Sequence, residues 1–302
     1  MYMSNDSASP ADAHAHGRPG AGTSGRGPGA GEPLVVIEPA RSAFSLNLRE
    51  IWTHRELLYF LVWRDLKVRY KQTALGVIWV VAQPLLTTLI FTVFLGVLAR
   101  VPSDGLPYPV FVYAGLLPWT FFSGAVINSS LSLVMNGNLI SKVYFPRVLI
   151  PTATVGAGLV DLAVASVILV ALAFYYGMPA TRNLLMLPAL AALTVLLSLG
   201  LGMWLAALTV RYRDVRHVLP FTLQVWFFAT PIIYPASLIH EDWRWLLFFN
   251  PMTGIVEGLR SAITGRAFDW PSIAFSAAVT LVVLVISVFT FNRFEKSFAD
   301  LI

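Results

Sequence analysis

The sequence predicts an all-α integral membrane protein: six transmembrane helices, an N-terminal amphipathic interface helix, and a re-entrant helical hairpin before the last span. Three observations predict it. Hydrophobic residues make up 57% of the 302-residue chain and charged residues only 12%, against about 25% charged in a soluble domain. The apolar residues come as continuous runs rather than in alternation, the pattern of spanning helices and not of a barrel. The basic residues sit at the ends of those runs instead of in one patch. The net charge of +5 therefore points to membrane lipids of the anionic inner leaflet and not to nucleic acid. Cysteine is absent, which excludes disulfides, thiolate catalysis and cysteine-ligated metals.

The chain divides into a tail (1–33), a cytoplasmic lead-in with the amphipathic helix (34–72) and a six-helix transmembrane bundle (73–302). The tail is rich in Gly, Ala, Pro, Ser and His and has no apolar run, so it reads as disordered and carries no cleavable signal. His14 and His16 have no third ligand beside them and are read as inert. A short extended piece follows at 34–37, ended by Pro39, and a helical lead-in at 44–59 with Ser45 or Asn47 as its cap.

Residues 60–86, FLVWRDLKVRYKQTALGVIWVVAQPLL, join a basic half to an apolar half. On a helix Arg64, Lys67 and Lys71 share one face, Leu58, Val62 and Leu66 another, and Asp65 pairs with Arg69 at i,i+4. Two readings stay open: a basic flank that only orients the first span, or a surface helix hinged to that span.

The first span is 75–99, with a proline kink at Pro84 and Arg100 closing it. A turn-rich loop, VPSDGLPYP, leads to the second span, 110–135. This span carries Asn128, Ser129 and Ser130, too polar for lipid on all sides, so part of it should face protein or a cavity. Residues 136–150, NGNLISKVYFPRVLI, are short, basic and amphipathic, closed by Pro146 and Pro151. The third span is 152–176. Asp161 lies in it, about 15 Å from its start; it is read as a helix-packing hydrogen bond, a substrate contact or, more remotely, a proton relay. The fourth span is 183–210, ending in the basic loop RYRDVRH. The fifth, 218–234, is interrupted by Pro220 and Pro231 and followed by Pro235. The apolar pieces 243–249 and 252–263 are each too short to cross, so 242–264 reads as a hairpin that dips and returns. The last span is 271–291. With the N-terminus cytoplasmic, about thirteen basic residues fall on the cytoplasmic side against about five opposite, so both termini are expected there.

The sequence has no G-x-x-x-x-G-K-[ST], no H-E-x-x-H, no G-x-S-x-G and no acidic metal pair. It reads as a conduit without catalytic residues, metal or cofactor of its own. Aromatics are 13% of the chain and cluster, as at Trp119-Thr120-Phe121-Phe122 and Trp226-Phe227-Phe228. Interfacial belts explain such clusters, and so would a path for sugars, whose CH faces stack on rings.

The blocks WRDLKVRYKQTALGVIWVVAQPLL (63–86), PYPVFVYAGLLPWTFFSGAV (107–126), NLISKVYFPRVLIP (138–151), RYRDVRHVLP (211–220), FFATPIIYP (227–235) and NPMTGIVEGLR (250–260), in this order, resemble the transmembrane permease subunit of bacterial polysaccharide ABC exporters of the O-antigen, capsule and teichoic acid types, within the type-2 ABC transporter superfamily. The resemblance runs from about residue 34 to the C-terminus. It implies a homodimer in the bacterial cytoplasmic (inner) membrane, working with two copies of a separate ATPase that holds ATP and Mg. The cargo would be a polysaccharide on a polyprenyl pyrophosphate lipid. It also implies roles. Arg69, Lys71, Gln72, Leu75 and Gly76 would border the substrate entrance, the two cations as pyrophosphate ligands or as lipid anchors. Asn138, Lys142, Tyr144, Phe145 and Arg147, with Arg211 and Arg213, would couple to the ATPase, although Lys142 and Arg147 also suit the positive-inside bias. Trp79, Gln83, Phe122, Asn128, Asp161 and Trp226 would line the channel, with Pro84, Pro220 and Pro231 as flexing points. The rival readings are an exporter of small hydrophobic compounds, a membrane-embedded glycosyl- or acyltransferase using Asp161 and His217, and a secondary transporter.

Overall fold

The computed structural model describes residues 52–71 and 76–295, all within the unit Ser42–Ile302. The tail, most of the lead-in with Ser45 and Asn47, the entrance candidates Gln72 and Leu75, and the last residues 296–302 lie outside the described residues. Among the described residues all regular structure is helical. Five helical stretches are long and apolar enough to cross a membrane: Ile78–Leu98, Tyr108–Met135, Leu149–Tyr175, Arg182–Arg211 and Trp270–Glu295. The protein is an all-α integral membrane protein.

Helix α1 (Arg55–Lys71) departs from the simple two-faced helix read in the sequence. Leu61 is fully buried, and Leu57, Leu58 and Val62 pack into the same apolar cluster. Yet Tyr59, Phe60, Trp63 and Val68 are exposed on other faces beside Lys67 and Lys71. One apolar stripe meets protein; a second, aromatic and cationic, suits a membrane surface.

Helix α2 (Gly76–Phe91) runs through Pro84 without interruption. The departure from α geometry comes later, where the helix continues as a π-helical stretch, Thr92–Leu98. Gly96 lies in this stretch against the Tyr108 ring, where a Cβ would come within 2.8 Å of the ring carbon Cγ. Wide turns of this kind are rare and cost hydrogen-bond geometry.

Helix α3 (Tyr108–Met135) is the centre of the bundle. It packs against α2 and against four later helices: α5 (Leu149–Tyr175), α6 (Leu187–Arg211), α7 (Val215–Ala229) and α9 (Pro251–Thr264). Its serines face protein, as its polarity required. Ser129 and Ser132 are buried, and their hydroxyls donate to the carbonyls of Pro151 (3.5 Å) and Ser129 (2.7 Å). Gly202 of α6 lets the two helices meet there; a Cβ would stand 2.6 Å from the Ser129 hydroxyl. Small residues at crossings are the usual means of close packing in membranes.

Several boundaries differ from the sequence reading. The segment after α3 holds only a six-residue helix, α4 (Gly137–Lys142). Helix α5 begins at Leu149, with Pro151 in its first turn rather than before it; a first-turn proline lacks only an N–H that would have no helical partner. The expected fifth span stops at Ala229. Pro231 pushes Thr230 into extended backbone (φ −101°, ψ 137°), so residues 230–235 leave the helix. At 1.5 Å per residue α7 covers about 22 Å, short of the roughly 30 Å hydrocarbon core. Pro118 and Pro220 lie inside continuous helices.

A helical pair follows, α8 (Glu241–Phe248) and α9. Asn250 caps α9 by accepting from the Met252 N–H (3.0 Å), and Gly265 closes it in the left-handed conformation. Both ends of this pair return to one loop: Ser237 donates to the Asp104 carboxylate (2.7 Å), and the Arg266 guanidinium donates to the Asp104 carbonyl. Helix α10 (Trp270–Glu295) packs on α6 and α9 and extends past the expected end at 291.

Candidate functional site

The cations of α1 divide by partner. Asp65 does not pair with Arg69. It accepts from its neighbour Arg64 (Nη2–Oδ1 2.8 Å). Arg69 instead reaches α5, where Nη1 donates to Asp161 Oδ2, and Tyr70 donates its phenol hydroxyl to Asp161 Oδ1. Both carboxylate oxygens of Asp161 are thus taken by consecutive residues of α1. Burial first, then the hydrogen bond to Asp161, raise the Tyr70 phenol to about 12, so it stays a neutral donor at any physiological pH. Nearer the start of α1, Val62 rests on Gly156. From 62 against 156 to 69 and 70 against 161, the contacts advance together along both helices. Helix α1 therefore leans along the span instead of crossing it squarely. Lys67 and Lys71 point outward, exposed. Of the predicted entrance residues, the structure ties Arg69 to Asp161, leaves Lys71 on the surface, and starts α2 at Gly76.

The neighbouring segment is sorted by burial. Asn138, Lys142 and Tyr144 are exposed, Tyr144 to 88%. Phe145 is 6% exposed and joins Leu61, Ile140 and Leu149 in one apolar cluster. Arg147 is tied to the end of α10: its backbone N–H donates to Glu295 Oε1 (3.2 Å) and its guanidinium to the Glu295 carbonyl. Phe145 and Arg147 thus face inward, and a partner approaching this end meets Asn138, Lys142 and Tyr144. Arg211 stacks 5.5 Å from both the Tyr212 and Phe294 rings, while Arg213 is exposed.

With these elements placed, the comparison with known families is decisive. Residues 56–264 match the family described as "ABC-2 type transporter". The chain belongs to the ABC-2 type transporter family. It is 31% identical over 258 residues to the "O-antigen export system permease protein RfbA" of Myxococcus xanthus, covering 84% of this chain and 98% of that protein. It is 30% identical over 249 residues to a protein of the same name from Klebsiella pneumoniae, covering 82% and 95%. It is 26% identical over 241 residues to the "Polysialic acid transport protein KpsM" of Escherichia coli, covering 78% and 92%.

In this ABC-2 chain the channel-lining candidates do not converge. Trp79, Gln83 and Asn128 are exposed on α2 and α3, and Asp161 is held by α1. Phe122 is fully buried in an aromatic knot, its ring 5.6 Å from Trp119 and 5.2 Å from Trp226. That corrects its assignment: in this structure it is core, because the ring edges leave it no open side. Trp226 is half-buried and donates its indole N–H to Asn250 Oδ1 (2.9 Å). Beside it an open cleft of about 530 Å³ is lined by Trp226, Tyr234, Trp243, Leu246, Phe249 and Asn250, among others. Among the described residues no three His, Asp or Glu side chains gather to hold a metal.

Two residues that organise the ABC-2 chain lie outside the candidates read from its sequence: Tyr70 and Arg260. Tyr70 is an uncharged residue between Arg69 and Lys71, and its position carries no signal of its own. Arg260 stands inside the apolar piece 252–263. It is 4% exposed, donates to the carbonyls of Pro231 and Ile232 (2.7 Å each) and to Glu257 (2.7 Å), and its guanidinium lies 3.6 Å from the Phe111 ring centre. The break after α7 leaves carbonyls without helical partners, and buried carbonyls must be paired. Arg260 pairs them. The Glu257/Arg260 spacing in an otherwise apolar helix was the available signal.

Proposed function

We propose that this chain is the membrane permease subunit of an ATP-driven exporter that carries polysaccharide linked to polyprenyl pyrophosphate across the bacterial cytoplasmic membrane. The observation that carries the reading is the similarity to three polysaccharide-export permeases over 92–98% of their lengths. The working unit is a homodimer with two copies of a separate ATPase, since the chain has no P-loop of its own. Both termini are cytoplasmic, α7 with residues 230–235 makes the fifth of six crossings, and α8 and α9 form the re-entrant pair at the exit.

Mechanically, the ATPase engages the surface of Asn138, Lys142 and Tyr144. Closure of the ATPase on ATP pushes this segment. Phe145 and Ile140 pass the push into the cluster that holds Leu61 of α1, and Arg147 passes it to α10 through Glu295. Close-packed apolar contacts transmit such displacement with little slack. The helices that yield are α2, weakly packed and π-helical in its second half, and α7, which ends at a proline break. A path then opens between the α2 and α7 helices of the two copies. Aromatic rings at its outer end offer stacking faces to passing sugars.

The test is reconstitution with the ATPase in liposomes containing a fluorescent polyprenyl-pyrophosphate oligosaccharide. ATP-dependent movement to the far leaflet is expected. Glycosyl or acyl transfer by the purified chain alone, or movement that follows a proton gradient and ignores ATP, would overturn the reading.

A further inference from the structure

Helix α1 carries three cations near its end, and they are not equivalent. Lys67 and Lys71 are exposed. Arg69, the one able to grip a phosphate with two parallel N–H groups, is already engaged by Asp161. Asp161 comes from α5, 92 positions away in sequence, and Tyr70 fixes its other oxygen. The pair is not sealed in: the two side chains are 33% and 28% exposed. An ion pair so placed can be reached by a second anion. A pyrophosphate carries more negative charge than one carboxylate and fits the guanidinium fork better.

We propose that Asp161 is an internal stand-in for the anionic headgroup of the substrate, and that the headgroup displaces it from Arg69. Lys67 and Lys71 draw the pyrophosphate to the helix, and Arg69 then changes partner. The exchange also has a mechanical result. Besides the apolar seat at Leu61 and Val62, the Arg69 and Tyr70 bonds to Asp161 are what hold the far end of α1 to α5. Losing the Arg69 bond loosens that end, which then rests on the Tyr70 bond, next to the start of α2. Arrival of substrate is thereby converted into movement of the first span. Asp161 is a positioning residue in this scheme and touches no substrate. The inference rests on the proposed function and deepens it.

The experiment measures binding of geranylgeranyl pyrophosphate to the purified permease–ATPase complex in nanodiscs, for wild type, Asp161→Asn, Arg69→Ala and the double variant. Asp161→Asn should tighten binding about three- to fivefold, the scale of a part-exposed ion pair. Arg69→Ala should weaken it, and the double variant should match Arg69→Ala, because removing the competitor helps only where Arg69 remains. Unchanged or weaker binding by Asp161→Asn overturns the proposal. The chain lacks cysteine, so spin labels at Val68→Cys and Val160→Cys, both exposed, report the gap between α1 and α5. The gap should lengthen when the probe is added to the otherwise unaltered protein, and should be long without it in Asp161→Asn. A gap that never changes overturns the proposal even where the binding variants fail to assemble. The same lengthening with inorganic pyrophosphate supports a headgroup site. The same lengthening with phosphatidylglycerol overturns the substrate assignment, making the site one for bulk lipid. ATP-driven export measured on the same preparation separates the two claims: export without headgroup exchange removes this inference alone.

Discussion

Helices α2 and α3 are neighbours in sequence, in contact, and both apolar enough to span, yet 78% of the α3 window is buried within the chain and only 6% of the α2 window. The difference lies in the other residues they carry. Helix α3 has serines that find carbonyls and sits where glycines admit close neighbours. Helix α2 presents Ile78, Trp79, Leu86, Leu89, Ile90, Phe94 and Val97 outward. Apolarity alone therefore says that a helix belongs in a membrane, and small polar residues say which side meets protein. A spanning helix with large apolar faces and few partners in its own chain turns those faces to lipid or to another subunit.

That contrast can be broken most severely on the buried side. Arg260→Ala should cost about 3–5 kcal/mol, because the carbonyls of Pro231 and Ile232 and the Glu257 carboxylate lose their common donor. The expected readout is a large fall in thermal unfolding temperature of the detergent-solubilised protein, with Arg260→Lys recovering only part. Phe145→Ala should cost about as much, roughly 3–5 kcal/mol, since its ring fills the cluster under α1. Its exposed neighbour sharpens the contrast: Tyr144→Ala should leave stability within about 0.5 kcal/mol while lowering substrate-stimulated ATP hydrolysis of the complex. Gly202→Leu forces a side chain against Ser129 and should cost about 1–3 kcal/mol, seen as earlier unfolding and aggregation by size-exclusion chromatography. At the bottom of the scale, Leu86→Ala on the open face of α2 should leave the stability of a single subunit nearly unchanged and weaken only its assembly, read by light scattering.

The helices themselves were legible, because continuous apolar runs leave a spanning chain few alternatives. The misplaced ends have local reasons. Pro151 was read as a stop although a proline in the first turn costs a helix nothing, and Pro231 ended a helix that hydropathy alone would have continued. Pro84 reads as a kink, but the irregular turns begin at Thr92 and include Gly96, which lies against Tyr108. The site was less legible. The side chain that satisfies Asp161 stands 92 residues before it, and a helical wheel sees only neighbours within a few turns. The same limit made Asp65 the apparent partner of Arg69. Phe145 and Tyr144 are adjacent aromatics in a short irregular segment, where no periodicity distinguishes the buried ring from the exposed one. Phe122 fell within an aromatic cluster that suited either a path or a core, and only the rings of Trp119 and Trp226 from two helices decide for the core.

In the proposed homodimer the bare face of α2 is completed by a second copy of the chain. A single cysteine introduced at Leu89, 58% exposed and near the middle of the span Ile78–Leu98, tests it most directly in native membranes, since the chain has no other cysteine. Oxidation should trap a disulfide-linked dimer from Leu89→Cys and none from a cysteine at the buried Val112. Leu89→Cys that stays monomeric, and that a lipid-soluble thiol reagent labels freely in the assembled exporter, would contradict the account.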